Sequence, residues 1–352
     1  MHAVLLHDHG GFEQLEFRED VALPAAAAGE VLIRVAAAGV NNTDINTRIG
    51  WYTQSCAASP SAAAACADAN RQTAWTGAPL RFPLIQGADA CGYIVAVGTD
   101  IDSSRVGQRV LIDPVLRSST GSADGYLGSE RNGAFAQYLS VPGANAWGIV
   151  SSLSDTELAS FPCSYLAAEN MLTRAGVSAD DTVLVTGASG GVGSAAVQLA
   201  RRRGARVIAI AGTGKGDVVA SLGASAVLPR DSDWLAQLGH NSVDVAIDVV
   251  GGPRFGELLH ALRAGGRCAI AGAIAGPAVQ LDLRSLYLKD LRILGCTIPE
   301  PGVFGRLIDY IEHGEIRPLV SRTYPLQAIV AAQQDFLSKR YPGKLVLIPA
   351  SI

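Results

Sequence analysis

Up to about residue 150 the chain alternates short β-prone runs with Gly, Asp and Pro punctuation. The runs are residues 3–6, 30–36, 93–97, 109–112 and 136–141. Strands this short at this spacing predict a barrel or sandwich. From about Ser154 the pattern changes. Residues 182–186, 206–210, 243–249, 267–271 and 292–294 are apolar runs suited to strands covered on both faces. Helical stretches at 194–203, 217–222, 255–262 and 283–289 fall between them. Repeated strand–helix alternation predicts an α/β fold with a doubly wound parallel sheet. A helix near 303–313 and a final strand at 344–348 give the tail a mixed character, and that tail is expected to rejoin the N-terminal domain. The predicted division is residues 1–153, completed by 299–352, around a domain at 154–298.

Two segments interrupt the pattern. Residues 55–76 are rich in Ala and Ser and carry Pro60, with a short helix predicted at 62–69. A stretch this long without a clean period reads as a surface insertion. A second, Gly/Ser-rich loop spans 118–133.

The strongest motif joins strand to helix: Thr182-Val-Leu-Val-Thr-Gly187-Ala-Ser189-Gly190-Gly191-Val192-Gly193, followed by small residues through Ala200. A pyrophosphate needs backbone N–H groups in close approach and a helix N-terminus facing it, and glycine permits both. The second strand of the unit then selects the cofactor. Enzymes that use NAD place Asp or Glu at its end to hold the ribose 2′-hydroxyl. Here that strand runs into Gly212-Thr213-Gly-Lys215, and no acid occurs from Ser194 through Gly216. Thr213 offers a hydrogen bond, Lys215 a charge for a 2′-phosphate, and Arg230 a second cation one strand later. NADPH is the expected cofactor.

Composition narrows the class. With 352 residues, 49% of them hydrophobic and 17% charged, the chain has room for two domains with a sizeable core. A net charge of −4 creates no field for nucleic acid or an anionic membrane. No signal-peptide pattern opens the chain, and no apolar run approaches ~18 residues, so a soluble, cytoplasmic protein is expected. Six cysteines without a C-x-x-C pair read as reduced, packed thiols.

These motifs, together with Gly29-Glu-Val-Leu-Ile-Arg-Val, Ala38-Gly-Val-Asn-Asn-Thr-Asp44, Gly87-Ala-Asp-Ala-Cys-Gly92, Gly107-Gln-Arg-Val110, Gly133-Ala-Phe-Ala-Gln-Tyr138, Asp248-Val-Val-Gly-Gly252 and Pro342-Gly-Lys-Leu-Val346, resemble the medium-chain dehydrogenase/reductase superfamily. Within it they resemble the zinc-independent quinone oxidoreductase branch, over nearly the whole chain. The resemblance implies a GroES-like β-barrel catalytic domain split around a Rossmann domain. It adds Val250, Gly272, Ala273, Lys344 and Asn41 to the expected cofactor contacts.

Zinc-dependent members hold catalytic zinc with a Cys, a His and a later Cys. The resemblance places those positions at Asn41, Ala88 and Cys163, with Asp89 as the acid after the His. Catalytic zinc needs about three protein ligands, and the four clustered cysteines of the structural zinc lobe are absent from 111–141. No metal is expected. Without a Lewis acid, hydrogen bonds must stabilise charge on the substrate oxygen, and conjugation makes that charge less demanding. Asn41 and Tyr52 are the expected catalytic residues. Asn46 stands where relatives often have tyrosine, and Ala167-Ala168-Glu169 replaces a common Thr-x-Tyr segment. Asp44 and Arg48 are expected to pair structurally, Cys163 to pack as a thiol, and Trp51 and Trp75 to flank the insertion.

The expected function is NADPH-dependent, zinc-independent reduction of a quinone or α,β-unsaturated carbonyl compound. The alternatives are a zinc-type alcohol dehydrogenase with degenerate ligands and a non-catalytic NADPH-binding protein. A small-molecule substrate and a homodimer are the expected partners.

Overall fold

The computed structural model describes residues 1–52, 80–118, 121 and 123–350, and counts of elements refer to these. The 55–76 insertion, its expected helix and Trp75 lie outside the described residues. The chain divides into two compact units, Met1–Cys163 with Val320–Ile352 and, between them, Ser164–Leu319. The tail does rejoin the first unit, but the crossings come at Cys163 and Leu319 and not at 153 and 298. Residues 303–317 stay with the second unit for identifiable reasons. The Arg202 guanidinium lies 3.4 Å over the Tyr310 ring and pairs with Glu315, and the Arg317 carbonyl accepts from Tyr165 Oη at 2.6 Å.

The first unit opens with β1 (Ala3–Leu6), β2 (Leu15–Arg18), β3 (Glu30–Gly39), α1 (Asn42–Arg48), β4 (Leu84–Ile85), β5 (Cys91–Val97), β6 (Arg109–Ile112), β7 (Val115–Arg117), β8 (Ala123–Tyr126), β9 (Tyr138–Pro142), β10 (Ala146–Gly148) and α2 (Asp155–Leu158). Helix α3 (Pro162–Arg174) leads onward to β11 (Thr182–Val185), α4 (Gly191–Arg202), β12 (Arg206–Ala211), α5 (Gly216–Ser221), β13 (Ala226–Pro229), α6 (Trp234–Leu238), β14 (Val243–Asp248), α7 (Phe255–Ala261), β15 (Leu262–Ile270), α8 (Leu283–Tyr287), β16 (Arg292–Gly295) and α9 (Val303–Glu312). Strand β17 (Val320–Pro325), α10 (Ile329–Ser338) and β18 (Lys344–Ile348) complete the chain.

In the first unit the main sheet has the order β10-β6-β5-β3-β18-β17, with β9 also on β3. The returning strand β18 therefore sits inside the sheet, antiparallel to β3 with Val346 opposite Gly39. Its core gathers Ile33, Val35, Ile94, Phe135, Leu139 and Leu345 from several separate segments. The 118–133 stretch is not simply a loop: β8 pairs antiparallel with β7, setting Tyr126 opposite Val115, and the Tyr126 side chain is buried. Burial of one tyrosine fixes a ribbon that local Gly/Ser composition does not announce.

The second unit is a six-stranded sheet of order β13-β12-β11-β14-β15-β16, parallel throughout. Strand order reverses between β11 and β14, so the crevice beyond their carboxyl ends is where such sheets place ligands. All six residues of β14 are buried, as a central strand covered on both faces requires. Among the described residues edge strand β16 pairs only with β15. Among the described residues no helix is long and apolar enough to cross a membrane.

Asp44 and Arg48 do not pair. Arg48 donates from Nε to Gln333 Oε1 at 2.9 Å and from Nη1 to the Gly10 carbonyl at 2.7 Å, tying α1 to α10. Asp44 turns back to its own helix start.

Candidate active site and cofactor loop

In the first unit, β3 runs through Val40 into α1, and Asn41 is the residue before the helix. Asp44, three residues on, accepts the Asn41 N–H at 2.7 Å, which satisfies one of the amides a helix start leaves without a partner. The Asn41 side chain is buried and fully engaged. Its Nδ2 donates to Asp89 Oδ2 at 2.9 Å and to the Gly39 carbonyl at 3.3 Å. Its Oδ1 accepts from Lys344 Nζ at 2.5 Å. Lys344 Nζ also donates to Asp89 Oδ2 at 2.7 Å, and Asp89 Oδ1 accepts the Cys163 N–H at 2.6 Å. Asp89 has no exposed surface and the Lys344 side chain is 4% exposed.

This arrangement sharpens two expectations. Asn41 has no amide hydrogen left for a substrate oxygen; it can only accept. Lys344, expected to meet the cofactor, has its ammonium on Asn41 and Asp89. Burial pushes the nearby Asp44 carboxyl up to about 7, the Asn41 N–H opposing the rise and the Asp89 charge adding to it. Burial also pushes the Cys163 thiol up to about 12, with the Asp89 charge reinforcing it. Cys163 is thus a neutral thiol near pH 7, and it takes the Tyr126 O–H at 3.3 Å.

A chain of hydrogen bonds runs along the half-buried side of α1. Asn42 Nδ2 donates to Asn46 Oδ1 at 3.1 Å, and Asn46 Nδ2 donates to Tyr52 Oη at 3.3 Å. Tyr52 then donates to Thr43 Oγ1 at 3.2 Å. Burial raises the Tyr52 phenol above its ordinary value, so it stays a donor. Asn46 is here the group that orients Tyr52. Trp51 is 42% exposed.

In the second unit, β11 enters the glycine loop. Gly187 has φ +59°, a conformation side chains resist, and Gly190 precedes α4 in extended geometry. The Gly190 N–H bonds back to Gly187 at 2.9 Å, and Ser194 makes the first helical return, to Gly190. That leaves the N–H groups of Gly191, Val192 and Gly193 at the open end of the helix, where no acid stands in the first turn. A Cβ on Gly193 would meet the Gly187 carbonyl at 2.2 Å, so glycine is what lets the helix start this close to the strand. Ser189 is buried beside it.

The neighbouring turn is built by Asp248 at the end of β14. Its Oδ1 accepts from Thr186 Oγ1 at 2.5 Å and from the Val250 N–H at 3.0 Å, and its Oδ2 accepts the Gly251 N–H at 3.0 Å. A Cβ on Gly272 would lie 3.0 Å from the Val249 carbonyl, and one on Gly251 3.4 Å from Ala273. Val250, Gly272 and Ala273 therefore converge beyond the strands. Gly212, Thr213 and Lys215 follow β12, and the Arg230 N–H bonds to the Ala211 carbonyl at 2.7 Å, bringing the segment after β13 alongside. Burial lowers the Lys215 ammonium and the Arg230 charge lowers it further. Two neighbouring cations suit a phosphate.

The expected residues thus form one group per unit, and each group is locally coherent. The glycine cradle fits a dinucleotide pyrophosphate. Glu169, by contrast, is buried against Arg203 at 2.7 Å and is structural. Among the described residues no group of three or more His, Cys, Asp or Glu that could hold a metal comes together. Sequence reasoning missed Thr43 as the acceptor for Tyr52, and Tyr126 as the partner of Cys163. The Thr43–Tyr52 spacing of nine residues is a signal only once α1 is recognised as a helix; nothing in the 118–133 composition points to Tyr126.

Comparison with known proteins agrees with this geometry. The alcohol dehydrogenase GroES-like domain family matches residues 27–151, and the zinc-binding dehydrogenase family matches residues 191–313. Quinone oxidoreductase from Lama guanicoe is 29% identical, covering 99% of this chain and 97% of that protein. Acryloyl-coenzyme A reductase from Metallosphaera sedula is 27% identical, covering 99% of each. A crystal structure from Sinorhizobium meliloti 1021, provisionally assigned as an alcohol dehydrogenase, superposes with a TM-score of 0.88 at 45% identity, covering 99% of this chain and 97% of that one. With a GroES-like first unit, a Rossmann-like parallel sheet and full-length relatives of this kind, the chain belongs to the medium-chain dehydrogenase/reductase superfamily and is quinone oxidoreductase-like.

Proposed function

We propose that this protein is an NADPH-dependent reductase of quinones or α,β-unsaturated carbonyl compounds that works without a catalytic metal. The observation that carries this reading is the Lys344 ammonium between Asn41 and Asp89, in the segment where zinc-dependent relatives keep metal ligands. Asn41 turns its oxygen to that ammonium, Ala88 offers only a methyl, both Asp89 oxygens are occupied, and Cys163 is a neutral thiol. This donor set does not fit zinc, which needs about three N, S or O ligands. The names of the Lama guanicoe and Metallosphaera sedula relatives support a quinone or conjugated carbonyl substrate.

Bound NADPH would supply a hydride to the conjugated carbon or quinone, and the electron pair displaced would collect on the substrate oxygen. The chain's own contribution is to hold and protonate that oxygen. The Asn46–Tyr52–Thr43 series points donors one way, so the Thr43 hydroxyl, which accepts from Tyr52, has its own hydrogen to give. Hydrogen bonds aimed where charge develops usually lower such a barrier more than any other contribution of the protein. In the second unit the α4 amides hold the pyrophosphate, and Lys215 with Arg230 takes the 2′-phosphate.

The second-unit sheet also supports a homodimer. Around edge strand β16, Leu283, Tyr287 and Leu288 are 64%, 62% and 71% exposed. An edge strand beside exposed apolar side chains is a pairing surface, and a second copy offers the same surface by symmetry.

Four measurements test these readings. Purified protein should oxidise NADPH with quinones or enones and keep its rate after exhaustive chelation; about one zinc per chain, with activity lost on its removal, would move the protein to the alcohol dehydrogenase reading. Lys215→Ala should raise KM for NADPH about tenfold while changing KM for NADH little; equal effects on both would sink the phosphate assignment. Thr43→Val should cut kcat about 100-fold and Tyr52→Phe by a smaller factor; an unchanged turnover rate in Tyr52→Phe removes Tyr52 from the mechanism. Light scattering should give a dimer for the native chain and a monomer for Tyr287→Glu/Leu288→Glu, and a native monomer would dismiss the edge contact.

A further inference from the structure

In the second unit, Arg230 lies in the short turn between β13, which ends at Pro229, and α6, which starts at Trp234. Its side chain is exposed and pairs at 3.4 Å with the adjacent Asp231. A surface pair of that kind holds a long side chain weakly. Arg230 and Lys215 also repel each other, for the Arg230 charge helps to lower the Lys215 ammonium. What fixes Arg230 is its backbone. The Arg230 N–H bonds to the Ala211 carbonyl at 2.7 Å, and the Arg230 carbonyl accepts from Arg254 Nη1 at 2.5 Å.

Arg254 immediately precedes α7 and takes hold of the turn at two points. Besides the Arg230 carbonyl it reaches the Ser232 carbonyl, from Nη2 at 3.1 Å. Its other hydrogens go from Nε and Nη2 to the two Glu257 oxygens, at 2.8 and 2.6 Å. The guanidinium lies 4.4 Å over the ring of buried Trp234. Its five N–H groups form a flat, fixed fork, so the grip on Glu257 and Trp234 sets where the hydrogens toward the turn point. The two carbonyls held flank Asp231, and the turn cannot pivot about that residue without breaking one of these bonds.

We propose that Arg254 is a positioning residue for recognition of the 2′-phosphate: by holding the Arg230 and Ser232 carbonyls it keeps the Arg230 guanidinium beside Lys215. The proposal rests on the reading of Lys215 and Arg230 as the 2′-phosphate contacts, and deepens it with a residue that acts through Arg230. Two cations held together against their repulsion are ready for a doubly negative group. A turn free to move would let them separate, and the preference for the phosphorylated ribose would fall.

The test titrates the full chain with adenosine 2′,5′-bisphosphate and with adenosine 5′-monophosphate, which differ only in the 2′-phosphate. The ratio of the two affinities is measured for the native chain, Arg230→Met, Arg254→Met and the double variant. The native chain should prefer the bisphosphate. Each single variant should lose about tenfold of that preference, with monophosphate affinity within about threefold of native, and the double variant should lose no more than either alone. General loosening of the fold would weaken both ligands together. A direct field from the Arg254 charge would persist without Arg230, and the double variant would then lose about 100-fold. A native ratio in Arg254→Met, equal weakening of both ligands, or additive losses in the double variant overturns the proposal. If Arg254→Met does not fold, Glu257→Gln decides. It loosens the Arg254 fork while removing a negative charge, which by charge alone would favour the phosphate. A preference lowered about threefold is expected, and an unchanged or raised one overturns the proposal. A native chain that binds both ligands alike fails the Lys215–Arg230 reading itself, and the role of Arg254 falls with it.

Discussion

Asp89 has no exposed surface, and its two oxygens tie together separate segments of the chain. One takes the N–H of Cys163 at the start of α3; the other takes Asn41 from the head of α1 and Lys344 from β18. A carboxylate in that position is unfavourable unless paired and fully hydrogen-bonded, and removing one partner of such a pair costs about 3–5 kcal/mol. The first unit therefore cannot rearrange these segments one at a time. The start of α1 inherits its position from this knot, and the hydroxyl chain along α1 inherits its position from the helix.

The second unit solves the same physical problem differently. Asp248 is also buried, but its partners are a threonine hydroxyl and two backbone amides, with no cation among them. Dipoles from successive N–H groups hold an acid well, and the turn they form is what brings Val250 toward Gly272 and Ala273. One unit thus builds with an ion pair that orients a side chain, the other with an acid that orients backbone. Both acids lie in the segments Gly87–Gly92 and Asp248–Gly252, where glycines let chains approach closely.

The second unit was readable because its strands are continuous apolar runs with helices between them, a period that survives without tertiary information. The strand at 206–210, for example, differs from β12 by one residue. Its phosphate loop was readable because glycine conformations leave few alternatives. The first unit was less so. In the second unit helix α3 was missed because Ser164, Glu169 and Asn170 are buried among its apolar residues and blur the period, the burial of Glu169 being offset by Arg203. Tyr126 and β8 were missed because burial, which local composition does not encode, decides their structure. At the site, residue types gave Asn41, Tyr52 and Lys344 their candidacy. What they could not give was direction: which end of the Asn41 amide faces inward, or that Lys344 and Asp89 meet across 255 residues.

That separation bears on how the protein is made. The second unit is contiguous, from Ser164 to Leu319, and all its strands are synthesised before β18 is. The first unit begins earlier but must wait. Strand β18 lies inside its main sheet, between β3 and β17, so until β18 is synthesised the Ala38–Gly39 end of β3 lacks its neighbour, β9 covering Glu30–Arg34 on that edge, and Asp89 lacks its cation. Domains generally fold in order of synthesis. Here the order inverts: the middle of the chain completes its strands before the N-terminal sheet receives β18.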